Sequence, residues 1–119
     1  MSDQQLYDAL ETYRQKVNGS ERIRRMIANW EPHLLLTPSD REQGFFVKFD
    51  GSAIGPVTRG RPAGDGHLIE IEGAHAELLS IFTGKTNPAQ AFLNGSISVF
   101  ADDKDQVKLD AISLVLWGL

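Results

Sequence analysis

The chain has 119 residues, 41% of them apolar, no cysteine and a formal net charge of −4. That length fits a single domain over residues 1–119 with its own hydrophobic core, while the missing cysteines exclude disulfides, thiolate catalysis and cysteine-based metal sites. The acidic balance argues against a nucleic-acid partner, which would call for an excess of Lys and Arg.

Leu6, Leu10, Tyr13 and Val17 recur at helical spacing, and Asn18-Gly19 supplies a stop, so residues 3–18 are predicted as an amphipathic helix. Ser20 caps a second predicted helix with Ile23, Met26, Ile27 and Trp30 on its apolar face, closed by Glu31-Pro32. These two helices form an N-terminal segment, residues 1–32, ahead of a strand-bearing segment, residues 33–119. Arg22, Arg24 and Arg25, with Arg14 nearby, would suit transient contact with an anionic membrane surface, although such runs are usually a solvated helix face.

From His33 the period becomes that of strands. Leu34, Leu35 and Leu36 form an apolar run, Phe45, Val47 and Phe49 alternate with Phe46 and Lys48, and Asp50-Gly51 is a hairpin turn signal. Ala53–Thr58 reads as a returning strand, with Gly55-Pro56 confining it to an edge or bulge. Arg59–Gly66 holds three glycines and a proline, the composition of an exposed loop. His67–Gly73 is a strand with Ile69 and Ile71 on one face and Glu70 and Glu72 on the other. Ala74–Phe82 reads as a helix, Asn87-Pro88 caps and starts a short helix to Leu93, and Ser96–Phe100 alternates again with Ile97 and Val99. Asp102–Asp105 reads as a polar turn, and Val107–Leu119 as an apolar tail. Grouped strands and grouped helices give the α+β class, with a mostly antiparallel sheet covered on one face by helices.

The segment from His67 to Ile112 resembles the signature half of the sterol carrier protein family. The resemblance rests on the strand Ile69–Glu72, the helix Glu77–Phe82, Gly84-Lys85, Asn87-Pro88, Ala91-Phe92, Gly95 and the strand Ile97–Phe100. It extends more weakly back to His33, covering about three-quarters of the chain. Where the family usually has a Gly after the last of these strands, this chain reads Ala101-Asp102-Asp103. The C-terminus, Trp117-Gly118-Leu119, is not a peroxisomal Ser-Lys-Leu.

The resemblance implies a five-stranded sheet with helices over one face, enclosing an apolar tunnel for a lipid ligand: a fatty acid, a sterol-like molecule or an isoprenoid. The inward-facing Phe45, Val47, Phe49, Ile69, Ile71, Ile97 and Val99, opposed by Leu78, Leu79, Phe82 and Phe92, are the candidate lipid-binding residues, with Trp117 near the tunnel mouth. Periodicity alone would assign them to a solid core. Gly84-Lys85 is helix punctuation first, Lys85 being the member that could meet a head group. Gly55–Arg61 lacks the Lys-Ser/Thr of a phosphate loop, and His67 and His75 lack metal-ligand spacing. The expectation is therefore a cytoplasmic, non-catalytic lipid carrier without cofactor or metal, since no run reaches bilayer length and the start is polar. The alternative is an accessory subunit that presents a lipid intermediate to partner enzymes; association with such enzymes or as a homodimer would suit either role.

Overall fold

The computed structural model describes residues 3–64 and 66–118. The elements in chain order are α1 (Asp3–Asn18), α2 (Glu21–Met26), β1 (His33–Pro38), β2 (Phe45–Lys48), β3 (Thr58–Arg59), β4 (Leu68–Gly73), α3 (His75–Phe82), α4 (Pro88–Leu93), β5 (Ile97–Phe100) and α5 (Asp103–Trp117). The five strands form one sheet in the order β3-β2-β1-β4-β5. Only β1 and β4 run parallel; the remaining pairs are antiparallel. The α+β class and the mostly antiparallel five-stranded sheet follow as expected.

The strand period of two places whole rows of side chains on one face. Val47, Leu34 and Ile69 stand in one row across β2, β1 and β4; Phe45, Leu36, Ile71 and Val99 form the next, reaching β5. Against this face α1 lays Leu6, Leu10, Tyr13 and Val17, and α3 lays Leu78, Ile81 and Phe82, all of them buried. The other face carries Glu70, Ser98 and Phe100. Part of it is closed by the glycine-rich loop, where Arg61 pairs with Glu70 at 3.3 Å and Pro62 and Ala63 line a shallow hollow with His33 and Leu68. Burial opposes charge on Glu70, but hydrogen bonds from Thr37 and Arg61 outweigh it and hold its pKa below the usual value. Asp65 of that loop lies outside the described residues.

Three boundaries differ from the sequence expectation. The second helix stops at Met26, because the chain reverses at Asn29 with φ 63°, a left-handed conformation that Asn tolerates. Trp30 is thereby turned onto Phe49, with ring centroids 4.7 Å apart. The third strand is not Ala53–Thr58: Ile54 makes a single bridge to Phe49, and the ladder re-forms only at Thr58–Arg59. Gly55-Pro56 interrupts it, since Pro has no N–H to donate. The Asn18 side chain instead satisfies the Ile54 backbone, donating to its carbonyl at 2.9 Å and accepting from its N–H at 2.7 Å. Lastly, Asp102–Asp105 is not a turn before an apolar tail. Asp102 occupies the N-cap position with φ −67°, and Asp103 and Asp105 fill the first turn of α5, where acidic groups meet the positive end of the helix dipole.

Candidate functional site

A cavity of about 190 Å³ lies between the β4–β5 edge of the sheet and the helices α3, α4 and α5. The sheet contributes Ile71, Ile97 and Val99, α3 contributes Ile81 and Phe82, and α4 contributes Pro88, Ala89, Phe92 and Leu93. Tyr13 reaches it from α1, and α5 supplies Gln106, Leu109, Asp110 and Ser113. These four stand at i, i+3, i+4 and i+7, one stripe of a helix. Phe92 and Leu93, 42% and 78% exposed, mark the open side.

The walls are apolar and the polar groups are few, the usual make-up of a small-molecule site. Tyr13 is fully buried with its ring edge-on to Phe82 at 5.1 Å, and burial pushes its phenol pKa well up, so it stays a hydroxyl. Burial also raises the Asp110 carboxyl above its ordinary value. Among the described residues no hydrogen bond or ion pair offsets it. Gln106 donates one amide N–H to the Ala101 carbonyl at 3.3 Å, which leaves its second N–H as a donor and its Oε1 as an acceptor.

No protein-family model and no curated protein matches the chain. Solved structures do. Sterol carrier protein domain 2 of Helicoverpa armigera matches with a TM-score of 0.72 at 14% identity, over 97% of this chain and 90% of that one. A UbiJ-SCP2 ubiquinone synthesis protein matches with a TM-score of 0.66 at 14% identity, over 89% and 85%. The chain has the sterol carrier protein fold. A third domain of this fold, palmitated SCP2L2 from Aedes aegypti, matches with a TM-score of 0.60 at 14% identity, over 88% and 90%.

Within the sterol carrier protein fold, the structure brings Ile71, Phe82, Phe92, Ile97 and Val99 of the sequence candidates together around the cavity. Phe45, Val47, Phe49, Ile69 and Leu78 are fully buried and pack in the core away from it; Phe45 meets Tyr7 and Phe49 meets Trp30. Leu79 and Lys85 line a separate, shallow groove between α1 and α3. Trp117 is half-buried against Tyr13, with ring centroids 6.0 Å apart, and does not line the cavity. Of the arginines, Arg14 pairs with Glu11 at 2.6 Å, Arg25 pairs with Glu21 at 3.2 Å, and Arg24 donates to the Ser52 carbonyl, while Arg22 is exposed. Among the described residues no group of three or more His, Asp or Glu is placed to hold a metal ion.

Sequence reasoning missed Tyr13, Ile81, Pro88, Ala89, Leu93 and the whole α5 stripe. The signal for the stripe was present as a helical spacing, hidden because three of its four members are polar.

Asp110 yields a pH prediction. Its folded-state pKa lies above the unfolded value, so the folded protein holds this proton more tightly, and stability falls as pH rises from the unfolded pKa through the folded one. Asp110→Asn should therefore unfold at a higher denaturant concentration than the wild type at pH 7, with the difference vanishing near pH 3. Urea titrations at the two pH values measure this, and a variant less stable at pH 7 would contradict it.

Proposed function

We propose that the protein binds a lipid in this cavity and carries it without altering it. The observation that supports this reading best is the apolar space between β4–β5 and α4–α5, with its polar groups confined almost wholly to α5, in a fold shared with sterol carrier domains. Apolar burial supplies the affinity, roughly 25 cal/mol per Å² before ordering costs. Among the lining residues there is no His, Lys or Arg. The contact residues are then Ile71, Phe82, Phe92, Ile97 and Val99 of the sequence candidates, joined by Tyr13, Leu109 and Asp110.

At about 190 Å³ the cavity is smaller than the roughly 300–1,000 Å³ of ordinary ligand sites. A long chain must therefore push α4 outward. This helix has six residues, of which only Ala91 is buried, and it lies between Gly84 and Gly95, both at positive φ. Little apolar burial holds it in place.

Val99→Trp tests the site. Val99 is on the edge strand β5, where an aromatic residue is well tolerated, and its side chain faces the cavity. The wild type should bind dodecanol at roughly micromolar strength, near −8 kcal/mol. The variant should stay folded by far-UV circular dichroism and bind at least tenfold more weakly. Unchanged affinity in Val99→Trp would place the ligand elsewhere.

The presenter reading gains support from the exposed Leu93 at the cavity and the exposed Val107 and Leu114 on α5. A carrier should move lipid between vesicles unaided, whereas a presenter should do so only with its enzyme.

A further inference from the structure

The charge in the cavity is one-sided. Asp110 offers two carboxylate oxygens, which only accept; Gln106 offers its amide oxygen and its second N–H; Ser113 and Tyr13 offer hydroxyls, which donate as well as accept; no lining residue is a cation. The nearest cation on the same helix, Lys108, is committed elsewhere: its ammonium donates to the Met26 carbonyl at 2.9 Å and sits over the Trp30 ring at 5.4 Å. Lys85 lies in the groove between α1 and α3. A carboxylate head group in the cavity would thus lose its water, meet no positive charge, and face Asp110. Desolvating an unpaired charge is among the most unfavourable steps in recognition, and a like charge beside it adds to the penalty.

Taking the lipid-carrier reading as its basis, we infer that the cavity selects lipids whose head group donates a hydrogen bond to Asp110, a hydroxyl or an ammonium, and discriminates against free fatty acids. Among the described residues Asp110 has no hydrogen-bond or ion-pair partner, so a donor arriving with the ligand satisfies it. Gln106 and Ser113, one turn to either side on the same stripe, hold the head group at α5 and direct the chain toward Phe92 and Leu93. The burial that raises the Asp110 pKa reports the same missing partner.

Isothermal titration at pH 8 with dodecanol, dodecylamine, dodecanoate and methyl dodecanoate, each below its micelle concentration, tests this. A dodecanoate carboxyl is fully ionised at that pH. Dodecanol and dodecylamine should each bind at least tenfold more tightly than dodecanoate, and the alcohol-to-amine ratio separates the two donor sources. In Asp110→Asn the gap between amine and acid should close to within threefold. Dodecanoate binding the wild type as tightly as both donors would overturn the inference while leaving the carrier reading intact. Binding by none of the four, methyl ester included, would overturn both. The wild-type comparison decides the matter by itself if Asp110→Asn fails to fold.

Discussion

Gly84→Ala should lower the stability of the protein by about 2–5 kcal/mol, a large share of the roughly 5–15 kcal/mol that holds a domain together. Two independent effects combine. Gly84 has φ 79°, a left-handed conformation that a residue with a Cβ adopts at about 1–2 kcal/mol. A Cβ there would also stand 2.5 Å from Cγ of Trp117, inside the indole itself. Overpacking of this kind costs roughly 1–3 kcal/mol when the neighbour can shift and more when it cannot, and the indole also packs against Tyr13, with ring centroids 6.0 Å apart. The melting temperature should fall by about 10 °C or more. Replacing Trp117 by Leu in the Gly84→Ala background removes the clash and leaves the backbone strain, so the double variant should be more stable than the sum of the single effects by at least 1 kcal/mol. Gly84→Ala within 0.5 kcal/mol of the wild type in urea would show that the C-terminal turn of α5 is not seated on the α3–α4 connection.

That contact changes the meaning of a motif. Gly84-Lys85 reads in the sequence as helix punctuation, which it is: the N–H groups of Gly84 and Lys85 close the end of α3 on Ile81 and Ser80. Part of the need for glycine is that local left-handed turn, but the rest comes from Trp117, more than thirty positions away, and no local pattern carries that information. The alternation at Phe45, Val47 and Phe49, at Ile69 and Ile71, and at Ile97 and Val99 was legible because the strand period is two and one face is buried. What the alternation could not reveal is which part of that face meets a helix and which part meets a cavity. That division follows from the parallel pairing of β1 with β4, which sends β5 to the far edge of the sheet beyond the cover of α1 and beneath α4 and α5. α5 was the least legible element. Its inward side carries Asp105, Gln106, Asp110 and Ser113 among Leu109 and Ile112, while Val107 and Leu114 are exposed. Apolar periodicity is lost when a helix turns polar groups inward and apolar ones outward.

Asp105→Ala should be the second large effect, a loss of about 2–4 kcal/mol that also loosens the cavity wall. The Asp105 carboxylate is buried and takes hydrogen bonds from two distant parts of the chain: the Trp30 indole N–H at 2.8 Å and the His67 ring at 2.6 Å. An ionised carboxylate only accepts, so His67 Nε2 is the donor. Removing the carboxylate strands the buried Trp30 N–H, and a hydrogen bond to a charged group is worth roughly 1.5–3 kcal/mol even before that orphaned donor is counted. Asp105→Asn keeps one carbonyl acceptor and should fall between the two. Trp30→Phe removes the donor with its partner, so Trp30→Phe combined with Asp105→Ala should cost less than the sum of the two single substitutions. Because Asp105 immediately precedes Gln106 and lies one turn before Leu109, its loss frees the segment that lines the cavity, and hydrogen exchange should quicken at residues 106–113 more than in β1. Urea unfolding of the wild type and the four variants measures the stability changes. Asp105→Ala and Asp105→Asn both within 0.5 kcal/mol of the wild type would mean that α5 is held by its apolar contacts alone and that the Trp30–Asp105–His67 bridge is incidental.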